Sequence, residues 1–343
     1  MAKPGNAVRP VGRRPAVTRV LRSVALACML LAPPHARADA AADWNRIALD
    51  TVTRSGERLE YGLHAMAVVH VAMFETLNFI EAGYAPRFVV GSPGLDGVSS
   101  DAAAAAAAHR ALVELYPNRR AALTAALEVS MRRLPVGQAT TSGATTGTSI
   151  AAVICAVRAL ARGAEERPTD RSAPSLAGRR TLSRLEPWLF NGADPLGPAD
   201  GVALRGTLRT RRDDDANARD NRVGAVRTGG RMRAGERRPV ADPLRWNLVV
   251  AESIAARGLS PTEGARIHAL VSMVVADAYA SARDSADRCA PCIASAAAAT
   301  ILESALGAGD GGKPAHTDEA MGREIGEYAL RRYFRPLVQP AHR

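Results

Sequence analysis

The chain has 343 residues, 47% of them hydrophobic but only 4% aromatic, with a formal net charge of +11 and an isoelectric point near 10.3. That suffices for one large or two small helical domains, with a core of Ala, Leu, Val and Ile in closely approaching helices. The positive charge does not mark a nucleic-acid binder: it is scattered arginine from Arg9 to Arg343, and its densest stretch, Arg205 to Arg238, also carries Asp213, Asp214 and Asp215.

At the N-terminus, Arg13, Arg14, Arg19 and Arg22 precede an apolar run from Val24 to Ala32, and Ala36-Arg37-Ala38 supplies the small-x-small pattern read by signal peptidase. Residues 1–38 are therefore expected to be a signal peptide cleaved after Ala38, giving a periplasmic or secreted protein. The apolar run falls short of the roughly 20 residues that cross a bilayer, so no membrane span is expected there. Cys28 lies inside that run and is discarded with it.

Along the remaining chain the apolar residues recur at helical spacing. A short first helix is expected behind an Asp43 cap, then an amphipathic helix over 59–80. Ser100-Asp101 starts the alanine run that stops at Pro117, Asn118 caps a helix to Leu134, and a further helix covers 141–160 with Gly163 as its stop. From 164 to 243 the pattern breaks into an irregular Arg, Gly and Pro-rich connection, with only Leu185-Glu186-Pro187-Trp188-Leu189-Phe190 as an apolar anchor. Helices resume at 246–257, at 261–281 behind a Ser260 and Glu263 capping box, at 291–306 and at 317–332. No strand alternation or repeat interrupts them. The reading is an all-α chain with helical parts at 39–163 and 244–343 joined by that connection.

Several stretches resemble the bacterial branch of the vanadium-dependent haloperoxidase and type 2 phosphatidic acid phosphatase superfamily. They are Asp43-Trp44-Asn45-Arg46-Ile47-Ala48-Leu49, Met66 to Asn78, Tyr84 with Pro86, His109-Arg110-Ala111-Leu112, Leu185-Glu186-Pro187-Trp188, Asn247 to Asp284 with Asp277-Ala278-Tyr279, and Met321 to Ala329. The resemblance implies a helical bundle that binds vanadate or phosphate through a lysine, two arginines and helix-start amides, with one histidine on the oxyanion and another moving protons.

Those catalytic segments are missing here. Where the family continues into its Arg-Pro segment, this chain passes from Arg283-Asp284 to Arg288-Cys289-Ala290-Pro291-Cys292, and the histidine expected at the following helix start is absent. Between Gly307 and Met321 the one histidine is His316, too near Met321 to match, and Lys313 is the one lysine after the signal peptide. No catalytic residue is carried over, and the expectation is a catalytically degenerate protein. The alternative is a haloperoxidase or acid phosphatase with a rearranged oxyanion site, built from Arg283, Arg288, Lys313 and Arg323 with His316 as catalytic candidate. Its cofactor would be vanadate and its ligand a small oxyanion or phosphate ester.

Cys289 and Cys292 also have the spacing of a thiol-disulfide exchange pair at a helix start, or of a local disulfide, while Cys155 reads as a buried free thiol. His64 and His70 lie six apart and show no metal-ligand spacing; His70 and His109 read as core histidines, and His268 as a core or surface residue, with an anion pocket as the alternative. The sequence leaves the oligomeric state open.

Overall fold

The computed structural model describes residues 40–89, 94–163, 187–189, 242–282, 288–307 and 317–337. The expected signal peptide and most of the 164–243 connection lie outside the described residues. Nine helices are described: α1 Ala40–Ser55, α2 Leu59–Glu81, α3 Ser100–Leu115, α4 Arg120–Arg132, α5 Gln138–Gly163, α6 Trp246–Arg257, α7 Pro261–Ala282, α8 Ala290–Leu306 and α9 Thr317–Arg332. Among the described residues there is no strand, only an isolated bridge between Tyr84 and Pro336, and this described part is all-α.

Local chemistry sets most helix ends. Ser99 accepts the Ala102 N–H at the head of α3, and Ser260 accepts the Glu263 N–H at the head of α7. Gly258 and Gly307, both left-handed, end α6 and α8. Two expected caps are corrected. Asp43 lies inside α1, which begins at Ala40, and pairs with Arg46 and Arg133. Asn118 lies inside a 3-10 turn, Pro117–Arg119, because the fixed φ of Pro117 sets the start of that turn.

The expected amphipathic second helix is instead buried nearly all round, from Gly62 to Asn78. By length and composition α2 could cross a membrane, but 94% of its most apolar window is buried inside the bundle. It packs against α1, α3, α5 and α7, while α7 continues the contacts to α6, α8 and α9. One apolar cluster thus runs through both helical parts, from Trp44 and Phe74 to Ile293 and Tyr328.

Small residues let these helices approach closely. The alanines of α3 are buried from Ala102 to Ala108 and lie against α5, where a Cβ on Gly147 would strike the Ala103 carbonyl. In the same way Gly322 of α9 lies over the Ile293 carbonyl of α8. After α9 the chain turns back beside the loop that follows α2. The Phe334 ring packs 4.3 Å from that of Phe74, and Ala85 and Leu337 donate main-chain hydrogen bonds to Arg335 and Gly83.

Candidate functional site

Three polar clusters interrupt the apolar core, each built from residues far apart in sequence. The first lies at the head of α8. Cys289 and Cys292 are joined in a disulfide across the first helical turn, and Pro291 occupies one of the first helical positions. The Cys289 N–H donates to Asp318 Oδ2 of α9 at 2.9 Å, and the Arg288 guanidinium lies 3.7 Å from Asp318 Oδ1. Arg288 also reaches the Met321 sulfur at 3.2 Å. A helix start and a guanidinium form the setting in which an anion is stabilised, and here the anion is the chain's own Asp318.

Among the candidates for oxyanion binding, Arg288 is therefore held against a carboxylate, and Arg323 is half-buried on α9. Arg283, Lys313 and His316 lie outside the described residues. Vanadate needs several fixed donors turned toward one point. At the head of α8 a multiply charged oxyanion would meet the Asp318 carboxylate, so the described residues there do not fit it. Cys155 is a buried cysteine on α5, outside any disulfide.

The second cluster joins α1, α2, α6 and α7. His70 Nε2 lies 2.9 Å from Asn45 Oδ1, and His70 Nδ1 lies 2.7 Å from Ser272 Oγ. Because Asn45 Oδ1 can only accept, Nε2 carries the ring proton and Nδ1 accepts from the Ser272 hydroxyl. The His268 ring stacks 4.7 Å away at 33°. Burial holds both imidazoles neutral, His268 down to about 3 and His70 well below the usual range, with each other's charge a lesser cause at His70. These are core histidines, sealed from any substrate. His109 is a half-buried neighbour of Thr124 and Trp44.

The third cluster holds Glu75 of α2, Arg87, Arg158 of α5, Asp277 of α7, Trp188 and Tyr333. Glu75 Oε1 accepts the Arg87 and Phe88 N–H groups at 2.9 and 3.3 Å. Asp277 accepts the Trp188 and Leu189 N–H groups at 2.9 and 2.7 Å, one on each oxygen. The Arg158 guanidinium sits 4.0 Å over the Trp188 ring, and that of Arg87 sits 4.0 Å over Tyr333.

Burial pushes Glu75 up to about 7 and Asp277 up to about 6, against the opposing pull of their amide donors and nearby arginines. Sequence reasoning passed over this cluster. The one available signal was an acid inside an apolar helical run, at Glu75 and at Asp277, which requires a buried partner. Nothing in the run names that partner.

Among the described residues no group of three or more His, Cys, Asp or Glu side chains is placed to hold a metal. No family model, curated protein or solved structure matches this chain.

Proposed function

We propose that this is an exported all-α protein resembling the vanadium haloperoxidase and phosphatidic acid phosphatase superfamily, with its oxyanion chemistry lost and a binding or structural role left. The observation that carries this reading is Asp318. Its carboxylate takes the Cys289 N–H and faces Arg288, so the helix-start amide and the cation that would serve an oxyanion serve a fixed side chain instead. An internal carboxylate tethered by the fold outcompetes a dissolved anion for the same donors. Export is supported by the arginine-flanked apolar run ending at Ala38, and by the Cys289–Cys292 disulfide, which suits an oxidising compartment.

Vanadate titration of the purified protein, followed by calorimetry, tests the loss of chemistry together with assays of peroxide-dependent bromination and phosphate-ester hydrolysis. The expected result is neither stoichiometric uptake nor turnover. Stoichiometric uptake with bromination, or ester turnover without it, overturns the reading in favour of a rearranged active site. For export, the mass of material recovered from the periplasm is expected to correspond to a chain starting at Asp39.

A further inference from the structure

Trp188 and Leu189 present four main-chain polar groups, and all four meet side chains. Both N–H groups go to Asp277, the Trp188 carbonyl accepts from Arg87 Nη2 at 2.9 Å, and the Leu189 carbonyl accepts from the Tyr333 hydroxyl at 2.7 Å. The Trp188 indole is fully buried. It lies beneath the Arg158 guanidinium, 5.5 Å from the His64 ring and 6.1 Å, edge-on, from the Phe88 ring. The donors and acceptors come from the turn after α2, from α7 and from the segment after α9, and the ring contacts from α2, that same turn and α5, none of them adjacent to Trp188 in sequence.

A carboxylate on two consecutive amides, a guanidinium and a phenol on the carbonyls, and an aromatic slot with a cationic roof constitute a receptor for an extended dipeptide. Burying Glu75, Asp277 and Arg158 costs desolvation that an apolar core of equal volume would avoid. What the charges add is main-chain recognition of a segment outside any helix. The cluster also has capacity left over: Glu75 Oε2 is buried with no hydrogen-bond partner among the described residues.

We propose that this cluster is a peptide-binding site, filled in cis by Trp188–Leu189, whose ligand is an extended segment of another protein carrying an indole followed by an aliphatic residue. The cis segment competes at high effective concentration, so a ligand in trans binds when Trp188 and Leu189 swing out together. This proposal is independent of whether oxyanion chemistry has been lost.

The test takes the full chain with Trp188→Gly and Leu189→Gly and titrates it with fluorescently labelled acetyl-Pro-Trp-Leu-amide. Saturable binding is expected, at least about tenfold tighter than to the unsubstituted protein and weakened at least about tenfold by adding Asp277→Asn. Absence of binding to a folded variant, or binding indifferent to Asp277→Asn, overturns the proposal. Should the double variant not fold, hydrogen exchange of the unsubstituted protein decides. Excess peptide is expected to speed exchange at the Trp188 and Leu189 amides while those of α2 and α7 stay protected; unchanged exchange at both amides overturns it.

Discussion

The carboxylate of Asp318 accepts the main-chain N–H of Cys289 at 2.9 Å, tying the head of α9 to the head of α8 across the stretch of sequence that holds Lys313 and His316. The contact acts as a capping interaction, supplied by a neighbouring helix instead of a preceding residue, since Cys289 makes no side-chain cap of its own. Asp318→Ala is expected to lower unfolding free energy by about 1–2 kcal/mol, read by urea denaturation. The same variant removes the carboxylate that faces Arg288 and the helix start, so inorganic phosphate should raise its melting temperature more than that of the unsubstituted protein. An equal phosphate response in both would show that Asp318 does not occupy an anion position.

The buried titratable groups pull stability in opposite directions with pH. Asp277 and Glu75 are raised from 3.8 and 4.5 to about 6 and about 7, so the stability they contribute is present in acid and is lost as pH rises through those values. His70 and His268 are lowered from 6.5, so theirs is present above 6.5 and is lost as pH falls toward the folded values, about 3 for His268. The two windows overlap, so the acids' losses and the histidines' gains nearly cancel between about pH 4.5 and 6; their sum predicts a maximum near pH 6.5, with a steep loss in acid and a smaller one toward about pH 7. Denaturation midpoints across pH 3 to 8 are expected to trace that dome. Asp277→Asn should steepen the rise between about pH 4 and 6 and His268→Gln should flatten it; an unaltered profile in either variant would remove that residue as a cause.

Local signals made the helices legible. The ends of α6 and α9 match the sequence reading because Gly258 and the acidic Asp318 and Glu319 punctuate them within one turn. The start of α7 follows from Ser260 and Glu263 in the same way. The site was far less legible, because its partners are set by tertiary packing. Asp277 meets Trp188 and Leu189, 89 and 88 residues away, and His70 meets Ser272 across 202. Reading cations alone near α8 gave Arg288 as an oxyanion ligand. The deciding group is an acid, Asp318, whose helix-start position explained it locally and concealed its reach to Cys289.

Tyr333→Phe isolates one strand of the cluster around Trp188. It deletes a hydroxyl and leaves the ring over which Arg87 stacks at 4.0 Å. The Leu189 carbonyl then loses its donor in a site closed to water, which should cost about 1–2 kcal/mol. Chemical denaturation measures that loss. A change within about 0.5 kcal/mol would mean that the carbonyl finds another donor, at the level of an ordinary surface substitution.

The disulfide between Cys289 and Cys292 closes a very short loop, spanned already by the main-chain hydrogen bond from Cys292 to Cys289 at 2.9 Å. Chain-entropy reasoning gives so small a loop about 2 kcal/mol. Reduction should therefore shift the denaturation midpoint modestly and leave the helical circular dichroism intact, with Cys155 unreactive toward thiol reagents until the protein unfolds. Loss of helix on reduction would show that the bridge holds more than the first turn of α8.

Two glycines set propensity against packing with opposite signs. In a free helix Gly→Ala gains up to about 1 kcal/mol, and α5 and α9 would each profit. At Gly147, however, the new Cβ meets the Ala103 carbonyl of α3, and at Gly322 it meets the Ile293 carbonyl of α8, with the Ala297 nitrogen 3.0 Å away. These obstacles are backbone, fixed by the hydrogen bonding of the partner helix, and cannot yield as a flexible side chain would. Separating two helices built on alanine also strips contact from the whole seam, because short side chains have no reach to follow. Packing should win: Gly147→Ala and Gly322→Ala are each expected to destabilise by about 1–3 kcal/mol. Gly137→Ala, where nothing lies within 4 Å, serves as the neutral reference. Stabilisation at either packed position would mean that the helices stand farther apart than their alanine and glycine faces require.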